Sequence, residues 1–526
     1  MAAKRLLFGL WEPDSNEILG NGRASQAINV VPVKGGYKAI NGWNRATSDG
    51  GVAFSSNVWP GTAANVLGAI STKDPSRRQT VDYIGTTTDV ISIEFSTGAI
   101  VSTSFAGATA PAASDFRDFC QYGEYVLVAG GHGSGASVSY YLTTGTVGWT
   151  APVIDGGILR AKTIDTVRDF VVAGNLREAL VDPQYFPNRV RWSAFANPTN
   201  WAASAATQSD YQDLKAELGP VQRIVGGNEA FIVCQDGVAL MQYVGGAVIM
   251  RFDYIHKGIG TNHPASCVRV GSYLYMYACQ GFVRLGMQEG DVTWIGAGRV
   301  DREFRYLIEL NSPYPRANGY HDQLNGGIGW QYTNTDGWSF FYSYIYDQWV
   351  QHGDPDTNDR DDAAFIYSSD ISTLSGATYG TGNGVPTATA LALTTNGQGN
   401  QLHSQNDQDN KAHVILATGL EELAPLRRAV VDKVWPLCEL RDSGLTSPVL
   451  LVSSFPDAVN PNLEIDTVYG ATASLQSGGF FTVTGAGSRE GRYHRFVLSN
   501  SRTAASRANE QEYMGVDVEF FPRGRH

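Results

Sequence analysis

Between Val81 and Gln351 the sequence is a succession of short runs rich in Val, Ile, Phe and Tyr, cut by Gly, Asn, Asp and Pro. The runs are TVDYIGTTTDVISIEFSTGAIV, then DFCQYGEYVLVAGG, then RDFVVAGN through RVRWSAF. They continue as IVGGNEAFIVCQDGVALMQYVGG, CVRVGSYLYMYACQGFVRLGM and NGGIGWQYTNTDGWSFFYSYIYDQWVQ. Apolar and polar residues alternate within each run, the period of a half-buried strand. The units recur at roughly 40–60 residues, the spacing of propeller blades that carry loop insertions. Such a pattern constrains the fold more than any single motif does. A small sheet that buries both faces is stable only against neighbours like itself, and closing the ring leaves only short edges. The expected fold is therefore all-β, a β-propeller of about six blades over 61–410. No helix-length segment is expected to interrupt Arg168–Phe304, and nothing in that stretch reads as a catalytic centre.

The two ends differ from this pattern. Residues 1–60 hold LLFGLWEP and ASQAINVVPVKGGYKAINGWN, with Pro32 before a Gly35–Gly36 turn. That reads as an extended N-terminal arm ending in a hairpin, apolar enough to pair with a distant strand or pack on a neighbour. Residues 352–362 (HGDPDTNDRDD) are acidic and 372–410 are poor in bulky apolar residues; they read as exposed loops around a last strand. From Lys411 the runs HVILATGLEEL, PLRRAVVDKVWPLCEL, SPVLLVSSFPD, GGFFTVTGAG, GRYHRFVLSN and GVDVEFFPRG predict a β-sandwich-like platform over 411–526. Residues 419–424 are also compatible with a short helix.

Composition narrows the function. The charged fraction is only 17% while Gly (59), Tyr (25), Phe (22) and Trp (11) are abundant, as suits many tight turns between strands. A net charge of −12 argues against ordinary nucleic-acid binding, which needs a basic surface to release counterions. It does not exclude a wall that a duplex merely passes without sticking, since phosphate is repelled within about one Debye length. The five cysteines, 120, 234, 267, 279 and 438, form no CxxC pair and no zinc spacing. Those in FCQY, IVCQDG, MYACQG and PLCEL are expected to be buried free thiols in a reducing cytoplasm. The apolar run after the basic start MAAKRLLFGLWEPD ends at Glu12, too short for a secretory segment, and no run reaches membrane-spanning length.

Reactive patterns are scarce. GGHGSG (130–135) lacks the Lys-Ser/Thr of a phosphate loop and reads as a hairpin tip. Asp354, Asp356, Asp359, Asp361 and Asp362 resemble a calcium loop, but Pro355 follows the first ligand position and Phe365 stands at the twelfth. TSDGGVAF (47–54) loosely fits the Asp-box turn of sialidase propellers, yet occurs once and ahead of the blades. The nine histidines form no HExxH and there is no GxSxG. The rings of WSFFYSYIYDQW could form a sugar platform, but alternation this regular sends half of them into the core. No catalytic residue, cofactor or metal is expected.

In their order of appearance, several of these segments resemble the tail hub (nozzle, or packaged-DNA-stabilisation) proteins of short-tailed bacteriophages. They are LFGLWEPD with ASQAINVVPVKGGYKAINGW, then RDFVVAGN, RVRWSAFANPTNW, SDYQDL and YVGGAVIMRFDYIHKGIG, and finally PLRRAVVDKVWP, GRYHRFVLSN and VDVEFFPRG. The resemblance spans nearly the whole chain, though each motif is short and structural. It implies a homo-oligomer, a sixfold ring below a portal–adaptor (connector) protein, that closes the DNA exit channel and carries a tail fibre or tailspike. It further implies a virion tail protein assembled in the host cytoplasm, past which double-stranded DNA moves without sequence-specific binding. Within such a ring the acidic residues Asp354, Asp356, Asp359, Asp361 and Asp362 are the candidates to face the channel. The competing expectation is a tail-associated propeller enzyme or binding module acting on host surface glycans. An enzyme of that kind needs two carboxylates about 5–10 Å apart in a cleft.

Overall fold

The computed structural model describes residues 1–15, 22–45, 66–74, 79–86, 89–94, 100–104, 116–129, 139–142, 160–178, 184–246, 248–311, 317–332, 338–353, 363–368, 390–396, 399–411, 414–425, 427–439, 449–455, 470–475, 480–483, 490–500 and 512–523. Among these, seven antiparallel sheets follow one another. Blade 1 is Val66–Asp74, Gln79–Thr86, Asp89–Glu94 and Ile100–Ser104; blade 2 is Asp118–Tyr122, Tyr125–Ala129 and Ser139–Leu142. Blade 3 is Arg160–Val167, Phe170–Glu178, Gln184–Trp192 and Asp210–Asp213; blade 4 is Val221–Val225, Ala230–Cys234, Gly237–Tyr243 and Met250–Lys257. Blade 5 runs from Val268–Val270 through Tyr273–Ala278 and Gly281–Leu285 to Val292–Trp294, and blade 6 from Asn318–Asp322 through Gly327–Gln331 and Ser339–Ser343 to Gln348–His352. Blade 7 is Ala363–Ser368, Ala390–Asn396 and Gly399–Lys411, completed by Asn41–Arg45 from the N-terminal segment.

These sheets form a closed ring. The first strand of each blade touches the first strand of the next, with the turn Pro264–Ser266 making the contact between blades 4 and 5. Ala363–Ser368 in turn touches Val66–Asp74, so blade 7 meets blade 1. The fold is an all-β propeller, with seven sheets where about six were expected. The extra blade came from the stretch 372–410, read from sequence as loops. Its strand Gly399–Lys411 carries NQLHSQNDQDN, a polar run with no apolar alternation, and it is held by backbone pairing on both sides. Ladder hydrogen bonds do not need apolar side chains, so a hydrophobic-period criterion passes over such a strand.

The remaining strands make two sheets that both ends of the chain share. In one, Ala2–Leu7 pairs with Glu512–Pro522, which pairs with Ala429–Glu439. The expected hairpin forms as Val30–Val33 with Gly36–Ala39 and continues the same edge through Tyr37 opposite Tyr513. In the other, Ala24–Ile28, Val414–Thr418, Tyr493–Asn500, Val449–Phe455 and Gly470–Leu475 lie side by side. Gly470–Leu475 also pairs with Phe481–Thr482, which reaches Ala429–Glu439 and joins the two sheets. Residues 421–422 are a short strand against His494 and Tyr493, so the helix compatible with 419–424 does not form.

One apolar core runs through the sandwich, blades 5 and 6 and the N-terminal segment. It includes Leu6, Phe8, Trp11, Phe282, Trp330, Trp349, Phe496 and Val518. Trp11 packs edge-on against Phe340 of blade 6 at 5.1 Å, so the arm is part of this core.

A helix was not expected near Arg168–Phe304, yet helix α1 spans Asp301–Asn311 between blades 5 and 6. Phe304 and Ile308, four residues apart, are buried, while Tyr306 and Leu310 are exposed. This stripe covers little more than one face, too short a signal to separate from the strands around it. The helix start is fixed from far away in sequence. The Asp14 carboxylate accepts hydrogen bonds from the backbone N–H of Arg302 (2.6 Å) and Glu303 (2.8 Å). That satisfies donors no intrahelical carbonyl can reach and places a negative charge at the positive end of the helix.

Candidate functional site

The residues singled out from sequence as channel-facing, Asp354, Asp356, Asp359, Asp361 and Asp362, lie outside the described residues. The chain leading into them is well defined. His352 is buried, stacks on Phe341 at 4.6 Å, and its Nε2 is 3.0 Å from the Val30 carbonyl. Burial pushes its imidazole down to about 4, so it is neutral at physiological pH. Gly353 is clamped by Asn29, whose side-chain amide donates to its carbonyl and accepts from its N–H at 3.0 Å. Asn29 itself has φ 56°, a left-handed conformation that asparagine tolerates better than most residues. The acidic run therefore starts from a point locked to the N-terminal segment. GGHGSG and TSDGGVAF also lie outside the described residues.

A second constellation was not foreseen. It joins the first strands of blades 2 to 5. Asp118 is 1% exposed, and its Oδ2 accepts from Thr163 Oγ1 (2.6 Å) and from the Ile164 N–H (3.0 Å). Thr163 Oγ1 in turn accepts from the Ile224 N–H at 2.9 Å, while Asp118 Oδ1 faces Arg223 at 3.0 Å. One turn along, Asp165 accepts from the Gly226 N–H (2.8 Å), and Arg269 donates to the carbonyls of Gly226 (2.7 Å) and Glu229 (2.6 Å). Burial lifts the Asp118 carboxyl to about 6, with Arg223 and the Thr163 hydroxyl pulling the other way. A carboxyl with that shift is the usual mark of a reacting acid, but this one is closed off from solvent. Its chemistry is to hold four blades in register. The signal was present in the sequence as polar and charged residues within the first strands: RDFC, KTIDTV, VQRIV, CVRV. Only the ring brings those strands together.

Among the described residues, the pair that most resembles a hydrolase dyad is Ser454 and His494, whose Oγ and Nδ1 share a 2.9 Å hydrogen bond. Glu421 stands opposite His494 in the next strand, and its carboxylate takes the Lys4 ammonium at 3.2 Å. His494 is 0% exposed and Ser454 8%. A nucleophile must reach its substrate, and this pair sits inside the sandwich as a core hydrogen bond. No group of three His, Cys, Asp or Glu suited to a metal occurs among the described residues. The aromatic run of blade 6 is mostly core: Phe340, Phe341, Tyr342 and Trp349 are buried and only Tyr346 is exposed at 41%. Cys120 and Cys234 are buried free thiols as expected, and so is Cys267; Cys438, expected to be buried, is half-buried, and Cys279, also expected to be buried, is exposed in the turn after Tyr273–Ala278. Its run MYACQG ends the strand one residue earlier than the apolar pattern implies. No described helix is long and apolar enough to cross a membrane.

A cleft of about 500 Å³ lies where the sandwich meets the N-terminal strand. Lys4, Leu7, Leu10, Tyr37, Gln348 and Glu421 line it. The Tyr37 hydroxyl is tied to the Gly9 carbonyl at 2.6 Å, which holds the arm in its curve around the cleft.

No family profile matches this sequence, and no curated protein does. Solved structures that overlap with it include puromycin hydrolase at 12% identity and a TM-score of 0.37, covering 71% of this chain and 55% of that one. The chain thus spans about half of the hydrolase. The WD40 domain of Neurospora crassa Pan2 overlaps at 9% identity and a TM-score of 0.37, covering 69% of this chain and 95% of that domain. A putative 6-phosphogluconolactonase from Bacteroides uniformis overlaps at 11% identity and a TM-score of 0.35, covering 59% of this chain and 90% of that one.

Proposed function

We propose that this chain is a structural virion protein. Six copies form the ring-shaped nozzle of a short tail, below a portal–adaptor complex, and the ring retains packaged DNA and guides its ejection. The observation that supports this reading most is where the family-like segments fall. PLRRAVVDKVWP and VDVEFFPRG are far apart in sequence, yet Ala429–Glu439 and Glu512–Pro522 are adjacent strands of one sheet, and LFGLWEPD begins at Leu7, the last residue of the strand on the other side of Glu512–Pro522. ASQAINVVP and GRYHRFVLSN flank Val414–Thr418 in the other. Segments that resemble a family in order and also assemble into one unit are better support than scattered short resemblances.

The mechanism is mechanical. The propeller (61–410) and platform (411–526) are the body of each subunit, and the blade 2–5 seam keeps that body rigid under the pressure of packaged DNA. At −12 per subunit the ring is strongly anionic, so passing DNA is repelled from its wall and slides. The run containing Asp354, Asp356, Asp359, Asp361 and Asp362 is the proposed constriction. A reconstruction that put this run on the outer rim would remove that part of the reading. No substrate is turned over: incubation with host polysaccharide should release no sugar, and release would favour the glycan-active alternative. Negative-stain images of the purified protein are expected to show a sixfold ring with a central hole. A protein that stayed monomeric, alone and with its connector, would sink the proposal.

A further inference from the structure

We infer that the outer edge of the N-terminal strand Ala2–Leu7 is a strand-accepting site, occupied in the assembled protein by an extended segment of a second copy of this chain. The inference deepens the ring reading above and rests on it. It begins with backbone accounting. Leu7 lies opposite Gly515, and the Phe8 N–H donates to the Met514 carbonyl at 2.9 Å. In an antiparallel pair the hydrogen-bonded residues alternate, so Ala2, Lys4 and Leu6 turn their peptide groups toward Glu512–Pro522. The N–H and C=O groups of Ala3, Arg5 and Leu7 therefore face the other way. Among the described residues no strand pairs with that side.

An open edge of this kind is a template for one class of occupant, another extended polypeptide. The surroundings are shaped for it. The 500 Å³ cleft runs beside Lys4, Leu7 and Leu10, and Leu7 is 52% exposed. An added strand would cover Leu7 and Leu10 and close the cleft at the mouth of the sandwich.

Charge selects the partner. The first 45 residues carry six Lys and Arg against three Asp and Glu, although the whole chain is −12. The arm is thus a basic segment on an acidic protein, and a second copy presents the opposite sign to it. Copies of so acidic a chain repel at long range. Lys4 and Arg5 of the edge strand are paired within the chain with Glu421 and Asp517, so the charge offered to a second copy is that of Lys34 and Lys38 on the hairpin beside the cleft. Directional backbone hydrogen bonds at the edge are a contact that overcomes this repulsion locally.

The test uses the full-length chain, with sedimentation velocity and negative stain as readouts. Proline at position 3 removes an outward-facing donor and places a ring on the open edge while leaving the ladder to Glu512–Pro522 intact. Wild type is expected to form rings. Ala3→Pro is expected to be monomeric with an unchanged melting temperature, and Arg5→Ala, which keeps the amide, is expected to form rings. Rings of Ala3→Pro as abundant as wild type would overturn the inference and leave the ring reading standing. If Ala3→Pro melts early, Leu7→Asp decides, since it alters only an exposed side chain beside the edge: loss of rings supports the site and intact rings overturn it. Wild type that never forms a ring overturns both readings, and a wild-type monomer whose edge is filled only by the connector overturns the choice of a second copy.

Discussion

In blade 4 the strand Val221–Val225, buried except for Arg223, meets Ala230–Cys234, which is apolar and buried throughout, across a short turn. In blade 7 the strand Gly399–Lys411 meets Asn41–Arg45, from the far end of the chain, and is polar along its length. The two blades do the same job in the ring but are specified differently. Blade 4 is a local meander whose hydrophobic period states its register. Blade 7 and the two sandwich sheets are written across the termini, and their order is set by a loop closure that spans nearly the whole chain. The N-terminal segment is common to both closures: Ala2–Leu7 and Ala24–Ile28 complete the sandwich, and Asn41–Arg45 completes the ring.

Four measurements break or sharpen this contrast. Deleting residues 1–45 has the largest effect. It removes the outer strand of blade 7 and four sandwich strands together, so the platform and blade 7 should become protease-sensitive while blades 3 and 4 resist. Equal survival of all regions in limited proteolysis would contradict the coupling. Next in size is Trp11→Ala, which empties the contact with Phe340 inside the shared core. A buried Trp truncation costs about 3–5 kcal/mol, read as a lower denaturant midpoint. Trp201→Ala in blade 3 is the matched control, with a similar loss confined to local protection in hydrogen exchange.

The third prediction concerns the seam. The Asp118 carboxyl is raised to about 6 in the folded protein, so the native state holds a proton that the unfolded chain releases near the ordinary carboxylate range. Its stabilising contribution is therefore full below pH ~3.9 and is lost as pH rises through about 6. Stability should fall across that window by up to ~1.4 kcal/mol per pH unit from this group. Asp118→Asn, which stays neutral and keeps an oxygen for Thr163 and Ile164, should flatten that component of the slope. An unchanged slope would show that the seam does not titrate. The smallest effect is Asp14→Ala. It removes the distant cap of helix α1 and should cost about 1 kcal/mol, seen as faster amide exchange at Arg302 and Glu303 with the blades unaffected.

Legibility followed the same division. The strands of blades 3 to 6 could be read because Val, Ile and aromatic residues alternate with turn residues over short distances. The hairpin turn at Gly123–Glu124 was readable too, since Gly123 takes φ 56° there. Blade 7 was missed because NQLHSQNDQDN has no apolar face. Helix α1 was missed because its cap, Asp14, is nearly 300 residues upstream and its buried stripe is two residues. Asp118, Thr163, Asp165, Arg223 and Arg269 lie on four separate first strands, and nothing in the sequence of any one strand points to the others.

By itself, then, the sequence determined the all-β class, the sandwich-like character of the C-terminal strands and the lack of recognisable reactive motifs. These follow from the side-chain period and composition, which act over a few residues. Tertiary structure alone decided the number of blades, the strand exchange between the two termini, the polar seam and the open edge beside Ala3, Arg5 and Leu7. Each of those depends on which backbone groups find partners across long separations, and a backbone N–H carries no mark in the sequence of where its acceptor will be.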